Sequence, residues 1–150
     1  IDIIGSDHGP FLKEEKEVGI NNIFKSPAGF PGIDFRVPLI LNCVKEKRLT
    51  LKRAVELLST NPAKIFNIYP QKGIIRLGSD ADLILVDFNK AFKIDKKNSY
   101  SKSKESALIY DGRNLEISIE YTISRGEIIM EKGKVSEQFK GRGKYIYPTQ

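Results

Sequence analysis

The sequence predicts an α/β protein in two parts, a strand–loop–helix unit followed by an all-β unit. Three observations predict it. The apolar stretch "IDII" opens the chain and stops at a turn. Between residues 37 and 66, apolar residues recur at the spacing of a helix. After Tyr69 they recur with the two-residue period of strands. We therefore divide the chain into residues 1–69 and residues 70–150.

The first unit begins with residues 1–6, which are predicted to form a buried strand because they are mainly apolar. Residues 9–36 are predicted to be a loop, since this segment has four glycines, three prolines and no sustained apolar period. A loop of this length in a compact domain usually has a function.

Helices are predicted in the rest of the first unit. The stretch "VPLILNCVKEKR", residues 37–48, has a helical apolar period. Thr50 is a suitable N-cap for a second helix. Asn61 is a suitable N-cap, and Pro62 a suitable first residue, for a third, short helix through Ile65 and Phe66. The predicted buried face of the second helix consists of Leu51, Ala54, Val55, Leu57 and Leu58.

The second unit alternates apolar and polar residues over short runs. "GIIRLGSDADLILVD" predicts two strands around the turn Gly78–Asp80. Ile117, Ile119, Tyr121 and Ile123 alternate with polar residues, which predicts a half-buried strand. A turn at residues 125–127 leads to its hairpin partner. The polar stretch at residues 97–112 is predicted to be a loop.

Composition excludes several classes of function. Apolar residues make up 40% and charged residues 29%, which is typical of a soluble globular protein. No apolar run reaches the roughly 20 residues of a membrane helix, so no membrane contact is expected. The net charge of +6 comes from lysines interspersed with glutamates, which indicates a solvated face rather than a nucleic-acid site. A chain that begins at Ile1, inside an apolar run, is expected to be part of a longer protein.

The single cysteine, Cys43, excludes an internal disulfide and indicates a reducing compartment, so we expect a cytoplasmic protein. Cys43 lies in an apolar helix and is expected to be a packed thiol rather than a nucleophile. The turn "GSDHGPF" is the first candidate for chemistry, because it places Asp7 beside the only histidine, His8. Polar residues are common in turns, but catalytic residues also follow barrel strands, and the turn by itself leaves both interpretations open.

Four stretches together resemble one family. They are "GSDHGPF", "SPAGFPG", "STNPAKIFNIYPQKGIIRLGSDADLILVD" and "GRGKYI". They are similar to the C-terminal third of cyclic amidohydrolases, the group of dihydropyrimidinases (hydantoinases), dihydroorotases and allantoinases. The resemblance implies that residues 1–69 are the last strand and outer helices of a metal-dependent (β/α)₈ barrel. It implies that residues 70–150 are most of a small β-sandwich, and that the protein is a homo-oligomer.

The resemblance also implies site residues. Asp7 would bind one of two divalent metal ions, with zinc the first choice, and the other ligands would lie upstream of this chain. Asp7 would also take a proton from the attacking water and give it to the leaving nitrogen of a small cyclic amide. Ala28 would contact the substrate ring through its backbone, and Gly29 would allow close approach. His8, adjacent to Asp7 on a strand, is expected to face away and support the site.

The resemblance favours the dihydropyrimidinase or hydantoinase type, with a dihydroorotase as the alternative. Phe11, four residues after Asp7, resembles the hydantoinase and dihydropyrimidinase pattern and favours a neutral ring. The stretch "SKSKES" resembles dihydroorotases instead, and hydantoinases favour asparagine at position 28, where this chain has alanine. Some dihydropyrimidinase-like proteins are non-catalytic scaffolds, but they typically replace the aspartate that is present here as Asp7.

Overall fold

Helix α2 (Ile33–Lys45) lies at the centre of the fold and contacts both the other helices and the strands. The structure, a computed structural model, describes residues 1–149 and has a mixed α/β architecture. The other helices are α1 (Lys13–Glu17), α3 (Leu51–Val55) and α4 (Asn61–Ile65). The strands are β1 (Leu83–Asp87), β2 (Phe92–Lys93), β3 (Asn114–Leu115), β4 (Ser118–Ser124), β5 (Glu127–Glu131) and β6 (Lys134–Val135).

The strand predicted at residues 1–6 is wrong for this chain. Within the described residues this segment pairs with no strand, and Ile1 is 93% exposed. A strand forms only where a neighbour completes its hydrogen bonds, and here helical residues take that place. The Ile4 N–H donates to the Leu57 carbonyl at 3.2 Å, and the Ile4 carbonyl accepts from Arg36 Nη1 at 3.0 Å. The segment therefore lies as a single extended piece against the helices.

The loop predicted at residues 9–36 is confirmed only in part, because it contains α1 and because α2 already begins at Ile33. Apart from α1, residues 9–32 contain only a 3₁₀ turn at Ile23–Lys25. The helix predicted at residues 37–48 also exists, although α2 begins earlier, at Ile33, and ends earlier, at Lys45. Cys43 on this helix is half-buried, as a free thiol.

The cap at Thr50 is confirmed, since its Oγ1 accepts from the Arg53 N–H at 3.2 Å. The N-cap predicted at Asn61 is wrong, because a π-helical turn (Glu56–Thr60) joins α3 to α4 without a break. In that wider turn the Asn61 N–H donates to the Glu56 carbonyl. The next residue, Pro62, has no N–H to donate, and the helix continues past it. The buried face of the second helix is narrower than the sequence predicts. Ala54 and Leu57 are buried and Leu58 is half-buried, whereas Leu51 and Val55 are exposed.

Four strands form one antiparallel sheet in the order β1–β4–β5–β6, and β2 pairs separately with β3. Of the two strands predicted around residues 78–80, only β1 exists. Residues 74–77 are exposed, and their loop is instead closed by the Asp80 N–H, which donates to the Gln71 carbonyl at 2.9 Å. The two-strand prediction fails because none of the described strands lies beside residues 74–77 to pair with them.

The hairpin of β4 and β5 is confirmed. Arg125 and Gly126 both have positive φ, at 47° and 81°, as a two-residue hairpin turn requires. Every residue of β4 is half-buried, so the strand is as predicted but its exposure does not alternate within the described chain. Ile117, immediately before β4, is completely buried.

Two apolar clusters hold the elements together, and α2 belongs to both. Phe35 packs with Ile94, Ala107 and Leu115, while Leu41 packs with Ala54 and Ile117. Residues from the strands and their loops thus share both cores with the helices. Among residues 1–149, no helix is both long enough and apolar enough to cross a membrane.

Candidate functional site

Two turns meet at the C-terminal end of the extended segment, residues 7–9 and residues 28–30. The Gly9 N–H donates to the Phe30 carbonyl at 3.0 Å, and His8 forms an isolated parallel bridge with Phe30. The backbones touch at Gly9 and Gly29: a side-chain carbon on Gly9 would lie 3.1 Å from Gly29. Gly29 also has φ 92°, a conformation that favours glycine. The fold therefore brings the segments of Asp7 and Ala28, singled out from the sequence, to one place.

Asp7 presents its carboxylate to solvent. Its backbone has φ 45°, in the left-handed region that aspartate tolerates better than most residues. The residue is exposed, and within the described chain its carboxylate forms no hydrogen bond and no ion pair. An unpaired, exposed carboxylate is available to accept a proton or to bind a cation.

His8 is turned to the start of α2. Its Nδ1 accepts a hydrogen bond of 3.3 Å from the N–H of Ile33, the first residue of that helix. The first N–H groups of a helix have no partner inside it, so His8 acts as a cap. The bond also requires that Nδ1 carry no proton, which places the hydrogen of a neutral ring on Nε2. This placement suits the supporting role predicted for His8, which stays a prediction.

The loop that carries Ala28 is held by a residue that the sequence did not single out. Lys16, on α1, donates from Nζ to the carbonyl of Pro27 and, at 2.8 Å, to the carbonyl of Gly29. Ala28 lies between the two and is exposed. Lys16 was missed because it stands in the run "KEEKE", which has the charge pattern of a solvated helix face.

Phe11 lies against the same turn. Its N–H donates to the Gly9 carbonyl at 2.9 Å, and the Lys16 ammonium is 5.7 Å from its ring centroid. The Phe11 carbonyl accepts from Ser106 Oγ at 2.7 Å. Ser106 belongs to the stretch "SKSKES", so a loop from the second half of the chain reaches the candidate site. No signal in the sequence connects these two distant segments.

Asp7 fits a metal site only as one ligand of several. Carboxylate oxygen is a suitable donor for zinc and for harder divalent ions. Within residues 1–149, however, no group of three or more histidine, cysteine, aspartate or glutamate side chains is placed to hold a metal ion. The structure is thus compatible with a metal at Asp7 if the remaining ligands come from outside these residues.

Two carboxylates with a lowered pKa, Asp80 and Asp82, lie in the loop before β1. A hydrogen bond from Lys72 lowers the pKa of Asp80 below its usual value. Burial alone would raise the pKa of Asp82, but hydrogen bonds from Lys72 and the Arg125 N–H outweigh it and the pKa is lowered. Because each of these bonds joins the loop to itself or to the β4–β5 turn, we interpret this cluster as structural.

Comparisons with known proteins agree with this architecture. The model of the amidohydrolase family matches residues 1–129. A dihydroorotase of Methanosphaera stadtmanae is 43% identical over 146 residues, which are 97% of this chain and 32% of that protein. An L-hydantoinase of Paenarthrobacter aurescens is 39% identical over 147 residues, again 97% of this chain and 31% of that protein.

Among solved structures, the D-hydantoinase (dihydropyrimidinase) from Thermus sp. superposes with a TM-score of 0.83 at 31% sequence identity. The superposition covers 91% of this chain and 30% of that one. The chain thus spans about a third of the length of the relatives that it matches. With a family model matched over most of its length, this chain belongs to the amidohydrolase family.

Proposed function

We propose that this chain is the C-terminal part of a metal-dependent enzyme that hydrolyses the ring amide of a dihydropyrimidine or a hydantoin. The observation that carries the proposal is the exposed, unpaired carboxylate of Asp7 beside the loop of Ala28. The names of the relatives, hydantoinases and a dihydroorotase among them, support the same class of reaction.

The proposal includes an architecture. Residues 1–69 are the last strand and outer helices of a (β/α)₈ barrel, and residues 70–150 are most of a β-sandwich. The extended segment at residues 1–6 supports this, because it lies against α2 and the α3–α4 helices as a barrel strand lies against its outer helices.

Asp7 has two roles in the proposed reaction. It would be a ligand of one of two divalent ions, zinc in the first instance, and the other ligands would lie outside this chain. When bound, such ions lower the pKa of water and polarise a carbonyl. The Asp7 carboxylate accepts a proton from the water whose oxygen attacks the ring carbonyl carbon. As the C–N bond breaks, Asp7 donates that proton to the leaving nitrogen, so one water is consumed and a carboxylic acid and a ureido group are formed.

Ala28 and Phe11 orient the ring. The Ala28 backbone, flanked by Gly29, offers an N–H and a carbonyl that bond to no described residue and can pair with an amide of the substrate. Phe11 presents an apolar ring two residues beyond Gly9. An apolar surface there favours a neutral ring, because an unpaired buried carboxylate is costly. Dihydrouracil and hydantoins meet this requirement.

Dihydroorotate is the second candidate substrate, and one observation favours it. The 43% identical relative is a dihydroorotase, and the identity extends over 97% of this chain. Dihydroorotate carries a carboxylate, so its recognition requires a cation that Phe11 does not supply. We therefore place it second.

The test is a side-by-side assay of the full-length, metal-loaded protein on dihydrouracil, a 5-substituted hydantoin and dihydroorotate. We expect a higher kcat/KM for one of the neutral rings. Preference for dihydroorotate by about tenfold, or about 1.4 kcal/mol in the transition state, would establish the second candidate. Metal-loaded protein that turns over none of the three would instead support a non-catalytic scaffold.

Asp7→Asn tests the carboxylate itself. Loss of the proton acceptor is expected to lower kcat by at least about 10²-fold. Asp2→Asn is the matched control, since Asp2 is an exposed aspartate of the same segment. Activity of Asp7→Asn within a few-fold of the control would refute the role of Asp7.

The whole enzyme is, in this proposal, a cytoplasmic homo-oligomer. The single free cysteine, Cys43, fits a reducing compartment, and the assembly is inferred from the family resemblance. Light scattering of the full-length protein tests the assembly, and a monomer at micromolar concentration would refute it.

A further inference from the structure

Both the backbone carbonyl and the side-chain ammonium of Lys16 form hydrogen bonds with the Ala28 loop, residues 26–29. Its carbonyl accepts from the Gly19 N–H at 3.0 Å and from Ser26 Oγ at 3.4 Å, at the start of the loop. Its ammonium donates to the carbonyls of Pro27 and Gly29, on either side of Ala28. One residue thus fixes both ends of a four-residue segment.

Lys16 differs from an ordinary surface lysine in its partners. Three glutamates surround it in α1 or next to it in sequence, yet within residues 1–149 it forms no ion pair with any carboxylate. Lys13, on the same helix, does pair with Glu17, at 3.4 Å. The Lys16 side chain is half-buried, and its charge is satisfied by backbone carbonyls instead. A charged donor makes stronger hydrogen bonds than a neutral one, so the two bonds from the Lys16 ammonium are stronger than bonds between neutral groups.

The bonds on either side of Ala28 hold its backbone in place. The carbonyls of Pro27 and Gly29, two residues apart, both accept from the Lys16 ammonium. The chain bends between them, at Ala28, and Gly29 has φ 92°. No described residue bonds to the Ala28 backbone, and its groups are left for an external partner.

We propose that Lys16 is a positioning residue that presents the Ala28 backbone to the substrate. The inference rests on the proposed amidohydrolase function for its consequence, but not for the contact itself. Lys16 does not touch the substrate: it acts through the loop. Without its ammonium, two carbonyls lose their common donor, and the loop is held only at its ends, by the bonds of Ser26 and Phe30.

The experiment compares Lys16→Met with Lys13→Met in the full-length protein. Both changes remove one charge from α1 and keep a long apolar side chain, but only the first removes the loop contacts. Hydrogen exchange measures the loop directly. The protected amides that report on the loop are Ser26, which donates to the Ile23 carbonyl at 3.1 Å, and Gly9, which donates to the Phe30 carbonyl at 3.0 Å. Peptides that cover these two amides are expected to exchange faster in Lys16→Met, with α2 unchanged, and as in wild type in Lys13→Met. Equal exchange in all three proteins would overturn the proposal, whether or not the protein is an enzyme.

Steady-state kinetics measures the consequence. Because a ring contact made by the Ala28 backbone is present both before and during reaction, its loss is expected to raise KM about tenfold with kcat nearly unchanged. Lys16→Arg keeps the charge and is expected to recover part of the affinity. A fall in kcat with KM unchanged, or no difference from Lys13→Met, would overturn the positioning role. Wild-type protein inactive on every cyclic amide would refute the proposed function, and hydrogen exchange would still decide the loop contact.

Discussion

Gly9→Ala tests whether the two turns of the candidate site must touch. A methyl carbon at residue 9 would lie 3.1 Å from the Cα and carbonyl carbon of Gly29 and 3.2 Å from the edge of the Phe11 ring. Carbon atoms in contact are normally about 3.5–4.0 Å apart, so each distance falls short by several tenths of an ångström. Two of the three neighbours are backbone atoms, and they cannot give way as a side-chain end does. The turns must therefore separate.

Forced contacts of this kind cost about 1–3 kcal/mol of folding free energy. The separation also stretches the hydrogen bond from the Gly9 N–H to the Phe30 carbonyl, which is 3.0 Å long. Asp7 and Ala28 lie directly next to these atoms, so their spacing changes with them. We expect the full-length Gly9→Ala enzyme to unfold at lower temperature and to lose at least about tenfold in kcat/KM, since small displacements in a positioned site are costly.

Gly143→Ala is the matched control. It makes the same change in the unfolded chain, but a methyl group there meets no atom within 4 Å. Thermal unfolding and kcat/KM are measured for wild type and both variants. If Gly9→Ala behaves like Gly143→Ala in both assays, the contact of the two turns does not shape the site.

Two further predictions concern stability. Ile117→Ala is expected to lower the free energy of unfolding by about 2–5 kcal/mol, because the side chain is completely buried in the core shared by α2 and α3. The control is Ile128→Ala, at a residue that is 51% exposed, which should change that free energy by about 0.5 kcal/mol or less. Equal effects of the two substitutions in denaturant titrations would contradict the assigned core. Because the pKa of Asp80 is lowered in the folded state, its contribution is present above its ordinary pKa of 3.8 and is lost as the pH falls below that value. Asp80→Asn should therefore lose less stability than wild type between pH 5 and pH 2, and parallel pH profiles would refute the role of this carboxylate.

Features with local causes were predictable from the sequence. The Thr50 cap depends on a hydrogen bond three residues away, and the Arg125–Gly126 turn on two backbone conformations within the turn. Asp7, Phe11, Ala28 and their turns could be found from motifs, because a motif records which residues stand together in one segment. Their roles stay predictions.

Features that depend on distant partners were not predictable. Residues 1–6 have the composition of a strand, but pairing requires neighbours that the described chain does not supply. Residues 74–77 fail to form a strand for the same reason. No sequence pattern around Lys16 indicates its role, because its hydrogen-bond partners become its neighbours only when the loop folds back over α1.

The bond between Ser106 and Phe11 joins positions 95 apart in sequence. It has a consequence for the construction of chimeric enzymes from members of this family. A crossover placed between the two halves would combine the candidate-site loop of one parent with the supporting loop of another. Position 106 would then carry a hydroxyl to donate to the carbonyl of residue 11 only if the second parent supplies one. Substrate preference should therefore be transferred only when residues 9–36 and residues 97–112 are exchanged together, as one recombination block.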